Sequence, residues 1–147
     1  MQQFPAAVVA IIGSREYPNL YAVVEYVQSL EDGTIIISGG ARGVDRTAEN
    51  TARDRGLRCI SLRPVQHGTE YQVSMFASPG VPRELKQAIA SQVQGVKFEN
   101  FRKAALCRNG IIVANAHRVV AFHHGNSSGT ANALRHARDL GRPVEVR

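Results

Sequence analysis

Short runs of apolar residues alternate along the chain with stretches in which apolar residues recur at helical spacing. The first run, residues 6–12, is rich in β-branched side chains, lacks polar alternation and stops at Gly13. This pattern is typical of a strand that is covered on both faces. Strands are predicted at residues 6–12, 34–38, 57–62, 118–122 and 143–146. Helices are predicted near residues 20–30, 44–55, 83–94, 99–116 and 131–140.

The order of these elements predicts an α/β fold with a mostly parallel sheet of five strands. Strands that alternate with helices need right-handed crossovers. We expect the strand order 3-2-1-4-5. Residues 65–97 interrupt the alternation with loop-like pieces at 66–69 and 78–82, and Pro64 is expected to stop the third strand. We interpret 65–97 as an excursion over one sheet edge, either structural decoration or a lid or dimer arm. The length of 147 residues predicts one domain over 1–147.

Composition and charge narrow the range of partners. The net charge is +6, and 15 of the 18 basic residues are arginine, whose planar guanidinium matches phosphate oxygens. This bias fits a phosphate-bearing partner, although a solvated arginine-rich surface would give the same count. The apolar share of 44% excludes a disordered or low-complexity chain. No run approaches a membrane span, and residues 1–4 are unlike a secretory leader, so we expect a cytoplasmic protein without membrane contact.

Three loops of small and polar residues follow three of the predicted strands. They are Gly13-Ser14-Arg15, residues 38–45 and residues 123–130. The carboxyl ends of parallel strands share one edge of a sheet, and ligands bind there where the strand order reverses. Glycines let the backbone approach an anion, and a helix N-terminus offers unpaired N–H groups. Each loop alone fits a tight turn with Ser or Thr as N-cap, but three together favour a phosphate-binding cleft.

Individual side chains suggest roles within that cleft. Arg15, Arg42 and Arg108 are candidate partners for phosphate. Asp45 either holds a ribose hydroxyl or only interacts favourably with the dipole of the predicted helix whose first turn contains it. The histidines that open the third loop have no carboxylate or cysteine nearby, so we expect a pocket lining, no metal site and no cofactor. The candidate binding residues are Gly13, Ser14, Arg15, Ser38, Gly39, Gly40, Arg42, Gly43, Asp45, Arg108, Asn109, His123, Gly125, Asn126, Ser127, Ser128, Gly129 and Thr130.

Four motifs together resemble the SLOG superfamily, which takes its name from the Smf/DprA and LOG proteins. They are Gly13-Ser14-Arg15, Ser38-Gly39-Gly40-Ala41-Arg42-Gly43-Val44-Asp45, Arg108-Asn109 and Gly125-Asn126-Ser127-Ser128-Gly129-Thr130. The YpsA-related branch is the most similar. The resemblance implies a Rossmann-like, three-layer αβα domain that binds a nucleotide or a nucleotide derivative. It also implies a homodimer, since LOG-type relatives pair through helices.

The resemblance leaves three functions open. The first is a sensor or binding module for a phosphorylated nucleotide or an NAD-derived signal. The second is hydrolysis of a nucleoside 5′-monophosphate, for which Arg108 matches a catalytic arginine of LOG-type relatives. Those relatives carry acids after the Gly-Thr pair, where this chain has Ala131-Asn132-Ala133, so Glu16, Asp45 or Glu49 would have to replace them. The third is single-stranded DNA binding in the manner of DprA, for which an aromatic share of 6% without tryptophan offers little base stacking.

Overall fold

The computed structural model describes residues 7–147 as an alternation of strands and helices. The predicted first strand begins at Ala6, which lies outside the described residues together with residues 1–5. The strands are β1 (Val8–Gly13), β2 (Ile35–Ser38), β3 (Arg58–His67), β4 (Glu70–Ala77), β5 (Arg118–Phe122) and β6 (Val144–Val146). The helices are α1 (Leu20–Ser29), α2 (Val44–Asp54), α3 (Arg83–Val93), α4 (Phe101–Ala114) and α5 (Ser128–Asp139).

The strands form one sheet in the order β4-β3-β2-β1-β5-β6. Every neighbouring pair is parallel except β3 and β4, which are antiparallel. The α/β class, the mostly parallel sheet and the relative order of the five predicted strands are therefore confirmed. The strand count is corrected from five to six, because β4 adds an edge strand that the prediction did not contain.

The added strand comes from the segment that was interpreted as an excursion. β3 continues past Pro64 to His67, and after a turn at Gly68 the chain returns as β4. The prediction that Pro64 stops the strand was wrong. β2 ends at Ser38, opposite Ser61, so from there on β3 has β4 as its single neighbour. A proline is tolerated in a strand that has one unpaired side.

Helices cover both faces of the sheet, as the three-layer prediction requires. Alternate residues of β1 point to opposite faces: Val8, Ala10 and Ile12 join one apolar cluster, whereas Val9 and Ile11 join the other. The first cluster includes residues of α3, α4 and α5, and the second includes residues of α1 and α2. Burying each large aliphatic side chain contributes roughly 1.5–3 kcal/mol, so these two layers hold the strand ends in fixed positions.

Two features of the helices affect the candidate site. α5 begins at Ser128, earlier than the predicted start near Ala131, so residues 128–130 form its first turn and not part of a loop. α4 contains Gly110, which was expected to weaken it; a Cβ there would lie 3.3 Å from the His136 ring, so the glycine lets α4 approach α5 closely. Within residues 7–147, no helix is long and apolar enough to cross a membrane.

Candidate functional site

A cleft opens at the carboxyl edge of the sheet, where β1 and β5 lie side by side. Its main cavity has a volume of about 820 Å³ and is bordered by residues from all three predicted loops. A smaller cavity of about 430 Å³ adjoins it and is lined by Gly39 and Gly40 among others. The main cavity contains Gly13, Ser14, Arg15, Arg42, Asp45, Arg108, Asn109, Gly125, Asn126, Ser127, Ser128, Gly129 and Thr130 in its lining.

Three predicted binding residues line neither cavity. The Ser38 hydroxyl donates to the Ile11 carbonyl oxygen at 2.6 Å and ties β2 to β1. Gly43 has a φ of +87°, and a Cβ there would lie 2.7 Å from the Arg15 carbonyl oxygen. The His123 imidazole Nε2 is buried and has no hydrogen-bond partner in residues 7–147. The structure gives Ser38 and Gly43 packing roles that sequence spacing could not separate from ligand contact.

The second loop is held in shape by carboxylates of the same chain. The Gly40 amide donates to Glu49 Oε2 at 2.9 Å, and the Ala41 amide donates to Asp45 Oδ2 at 3.3 Å. Internal acceptors therefore occupy both amides, while the assignment of Gly40 to the phosphate-binding residues stays a prediction. Asp45 and Glu49 are four residues apart on one face of α2, a spacing that was visible in the sequence.

The first loop is fastened to the loop that follows β5. The Ser14 hydroxyl oxygen accepts from the His124 amide at 2.9 Å, and the Ser14 amide donates to the Phe122 carbonyl oxygen at 3.0 Å. A Cβ at Gly13 would lie 2.6 Å from that same carbonyl oxygen. Gly13 and Ser14 therefore hold the first loop against the loop that follows β5, and both line the main cavity. The Arg15 guanidinium, by contrast, makes no hydrogen bond or ion pair within the described chain and borders both cavities.

The N-terminus of α5 presents unused donors to the main cavity. Ser127 is the N-cap, yet its hydroxyl lies 3.0 Å from the Thr130 hydroxyl and does not cap a backbone amide. No acceptor in the described residues takes the amides of residues 128–130. Among the described residues, no atom outside the chain neighbours and the backbone of α5 lies within 4 Å of where a Gly129 Cβ would be. Unpaired amides and the positive end of the helix dipole together favour an anion here.

Arg108 is a buried junction between three elements. Its Nη1 donates to the carbonyl oxygens of Gly39 at 2.5 Å and Leu62 at 3.3 Å, and its Nε donates to Asn109 Oδ1 at 3.0 Å. Asn109 Nδ2 in turn donates to Asn132 Oδ1 at 3.2 Å. Asn132, which follows the Gly-Thr pair where LOG-type proteins carry acids, is therefore part of this network. Nη2 of Arg108 has no partner in the described chain and remains available to the cleft.

Asp45 is the buried carboxyl group of the cleft. Desolvation raises its pKa from 3.8 to about 7, partly opposed by the positive charge of Arg108 and reinforced by the negative charge of Glu49. Its Oδ1 is buried without a hydrogen-bond partner in residues 7–147. Burial also lowers the pKa of Arg108, while the Asp45 carboxylate raises it. Near neutral pH the charge of Asp45 therefore changes within the cleft.

Further cleft residues were not singled out by the sequence. Arg102 and Phe101 border the main cavity, and Arg46 and Arg63 border the smaller one. The excess of arginine in the composition was the signal for such a cluster, but its members are distant in sequence. Of the acidic residues, Glu16 pairs with Arg42 at 3.1 Å in an exposed contact, which contributes little to stability.

The fold and the cleft define a Rossmann-like α/β protein with an arginine-rich cleft at the carboxyl edge of its sheet. The chain belongs to the DNA recombination-mediator protein A family, whose model matches residues 1–146. This membership confirms the relation to the SLOG superfamily through its Smf/DprA members, whereas the YpsA-related branch stays a prediction. No curated protein matches the chain.

Two solved structures share the fold. DNA processing protein A from Streptococcus pneumoniae aligns with a TM-score of 0.69 and 23% identity, over 96% of this chain and 50% of that one. DNA processing protein A from Helicobacter pylori, whose structure concerns a single-stranded DNA binding mode, aligns with a TM-score of 0.61 and 24% identity. That alignment covers 97% of this chain and 65% of the other, so this chain spans between half and two thirds of those proteins.

Proposed function

We propose that the chain binds single-stranded DNA in the cleft at the carboxyl edge of the sheet. The observation that carries the proposal is the convergence of free α5 amides with arginine side chains in one cavity. A backbone phosphate sits at the first turn of α5, and Arg15 and Arg102 neutralise its neighbours. Family membership and the DNA-binding relative from Helicobacter pylori support this choice over the other two hypotheses.

The size of the main cavity keeps a single nucleotide or an NAD-derived ligand as the second candidate. Its volume of about 820 Å³ falls in the range of roughly 300–1,000 Å³ that is usual for small-molecule sites. Such a ligand would use the same α5 amides through its phosphate. It differs from DNA in having few charges, so its affinity depends weakly on salt.

The hydrolase hypothesis now depends on one carboxyl group. Glu49 is buried and bound to the Gly40 amide and to Arg63, and Glu16 is exposed and paired with Arg42. Asp45 borders the main cavity, and its raised pKa suits a proton donor. Base release from a panel of nucleoside 5′-monophosphates measures this activity. Release that persists unchanged in Asp45→Asn would reject the assignment of Asp45.

Fluorescence anisotropy with a labelled oligothymidylate tests DNA binding at several salt concentrations. The logarithm of affinity should fall against the logarithm of salt with a slope of about −0.7 for each phosphate contacted. Arg15→Gln should weaken binding about tenfold, the effect of losing one charged hydrogen bond. Arg138→Gln is the matched control, because Arg138 is exposed at the far end of α5 and lines neither cavity.

A second variant blocks the proposed phosphate position. Gly129→Val places a side chain where the glycine has no neighbour within 4 Å, so the fold should tolerate it while the α5 amides become covered. Wild-type affinity in this variant, or no measurable DNA binding by the native chain at low salt, would refute the proposal. Nucleotide binding that survives without DNA binding would favour the second candidate.

Three coarser expectations accompany this proposal. We propose a single domain over 1–147, which agrees with a family model that matches residues 1–146. We also propose a homodimer and a cytoplasmic location. Sedimentation equilibrium measures the mass in solution, and a mass that stays at 16.0 kDa over a wide concentration range would reject the dimer.

A further inference from the structure

The smaller cavity is cationic on every side that carries a charge. Its volume is about 430 Å³, and no carboxylate of residues 7–147 contributes to its lining. Its arginines are Arg15, Arg42, Arg46, Arg63 and Arg108. Arg42 pairs with Glu16 and Arg63 pairs with Glu49, but neither glutamate lines the cavity. It has the electrostatic character of a phosphate-binding space, and its volume lies within the usual range for a ligand-sized site.

Apart from Arg15, Arg46 is the arginine of this cavity whose two terminal nitrogens both lack a hydrogen-bond partner in residues 7–147. Its Nε donates to the Gly40 carbonyl oxygen at 3.1 Å, which fixes the side chain against the second loop. Its terminal nitrogens make no hydrogen bond in the described residues. Arg63, in contrast, pairs with Glu49 at 3.1 Å and lies 5.5 Å from the centre of the Phe76 ring.

Phe101 stands at the border between the two cavities and contributes to the lining of both. It is the first residue of α4, and 43% of it is exposed although it is a large apolar residue. The Tyr71 ring meets it edge to face, with centroids 6.0 Å apart. The N-cap Asn100 accepts from the Lys103 amide at 2.9 Å and fixes the start of the helix. The ring is thus held in place while part of it remains open.

We propose that the smaller cavity is a second nucleotide subsite, entered from the main cavity over the ring of Phe101. A base stacks on Phe101, and the phosphate that follows it binds Arg46. The bound strand therefore contributes at least two consecutive nucleotides. This inference rests on the proposed DNA binding, because it places the next unit of the same strand. Stacking needs no particular base, since every base has an aromatic face.

The absence of tryptophan from the sequence permits a direct test of the stacking contact. Phe101→Trp introduces a single tryptophan at the border, and Tyr21→Trp introduces one on α1, where Tyr21 is 66% exposed and lines neither cavity. Oligothymidylate should quench the fluorescence of Trp at 101 and leave that at 21 unchanged. Phe101→Leu should lower the affinity about tenfold for a normal oligonucleotide and not for an abasic one.

The phosphate contact is tested by salt dependence. Arg46→Gln should reduce the steepness of the salt slope by about 0.7, the loss of one phosphate contact, whereas Arg138→Gln should leave the slope unchanged. Equal slopes in these two variants, together with unquenched fluorescence at position 101 while DNA is bound, would overturn the second subsite alone. Failure of the native chain to bind any oligonucleotide would overturn the proposed function and this inference with it.

Discussion

Replacing Asp45 with asparagine isolates the energetic cost of a buried negative charge in the cleft. The carboxyl group has a pKa of about 7 in the folded chain, against 3.8 as its ordinary value. Well below pH 3.8 it is protonated in both the folded and the unfolded states. As pH rises towards 7, the unfolded chain has already lost the proton that the folded chain retains. The free energy of unfolding must therefore fall with rising pH until the folded carboxyl has ionised.

The structure sets the size of this effect. Each unit of difference in pKa corresponds to about 1.36 kcal/mol, so the full loss between pH 4 and pH 7 is about 4 kcal/mol. Roughly two of those pKa units lie between pH 5 and the pKa of about 7 in the folded chain. Asp45→Asn keeps the shape and the acceptor for the Ala41 amide but carries no titrating group. Relative to the native chain, the variant should gain about 3 kcal/mol between pH 5 and pH 8.5.

Urea denaturation measures the free energy of unfolding of the native chain and of Asp45→Asn at pH 5 and pH 8.5. Subtracting the value of one chain from that of the other at each pH removes the contribution of the titrating groups that both chains contain. Asp139→Asn is the control, since Asp139 is exposed at the end of α5 and should give parallel curves. Parallel curves for Asp45→Asn would refute the account of the buried charge. DNA affinity should also fall more steeply with pH in the native chain than in Asp45→Asn, because an ionised Asp45 repels phosphate.

The other predictions concern packing and the network around the cleft. Gly13→Ala should lower stability by roughly 1–3 kcal/mol, because its methyl group would meet the Phe122 carbonyl oxygen; an unchanged urea midpoint would contradict this. Arg55→Ala should cost roughly 1–3 kcal/mol, because Arg55 donates to three carbonyl oxygens at the end of α1; Arg138→Ala serves as control. Asn109→Ala should weaken DNA binding, because it removes the hydrogen bonds that Asn109 makes with Arg108 and Asn132. Gln92→Ala is the control, because Gln92 lines neither cavity, and equal affinities of the two variants would exclude a role of Asn109 in positioning Arg108.

The strands β1, β2 and β5 were predictable because each contains an uninterrupted apolar run flanked by glycine or polar residues. β4 was missed although its sequence carries the other strand signature. Tyr71, Val73 and Met75 alternate with polar residues, which is the pattern of a strand with one buried face. All three contact the first apolar cluster. The prolines and glycines near this segment favoured the prediction of loops. The segment forms a strand because it pairs with β3.

The meeting of three loops followed from topology, but the availability of their donors did not. Whether an amide faces a ligand or an internal carboxylate depends on side-chain orientation, as Glu49 and the Gly40 amide illustrate. Phe101 illustrates the same limit for aromatic groups. A low overall aromatic share gave no information about where a single exposed ring would lie. Four of the five helix N-termini lie within two residues of the predicted start, whereas α5 begins three residues earlier than predicted.

The internal carboxylates that hold the second loop also bear on how fast a ligand can associate. Because Asp45 and Glu49 already satisfy that backbone, the segment is preorganised and has little conformational entropy left to lose when a ligand arrives. Complex formation then depends on diffusional encounter, which the surrounding positive field accelerates at low ionic strength. Differences in lifetime between ligands would consequently arise from dissociation, after the first contact has been made.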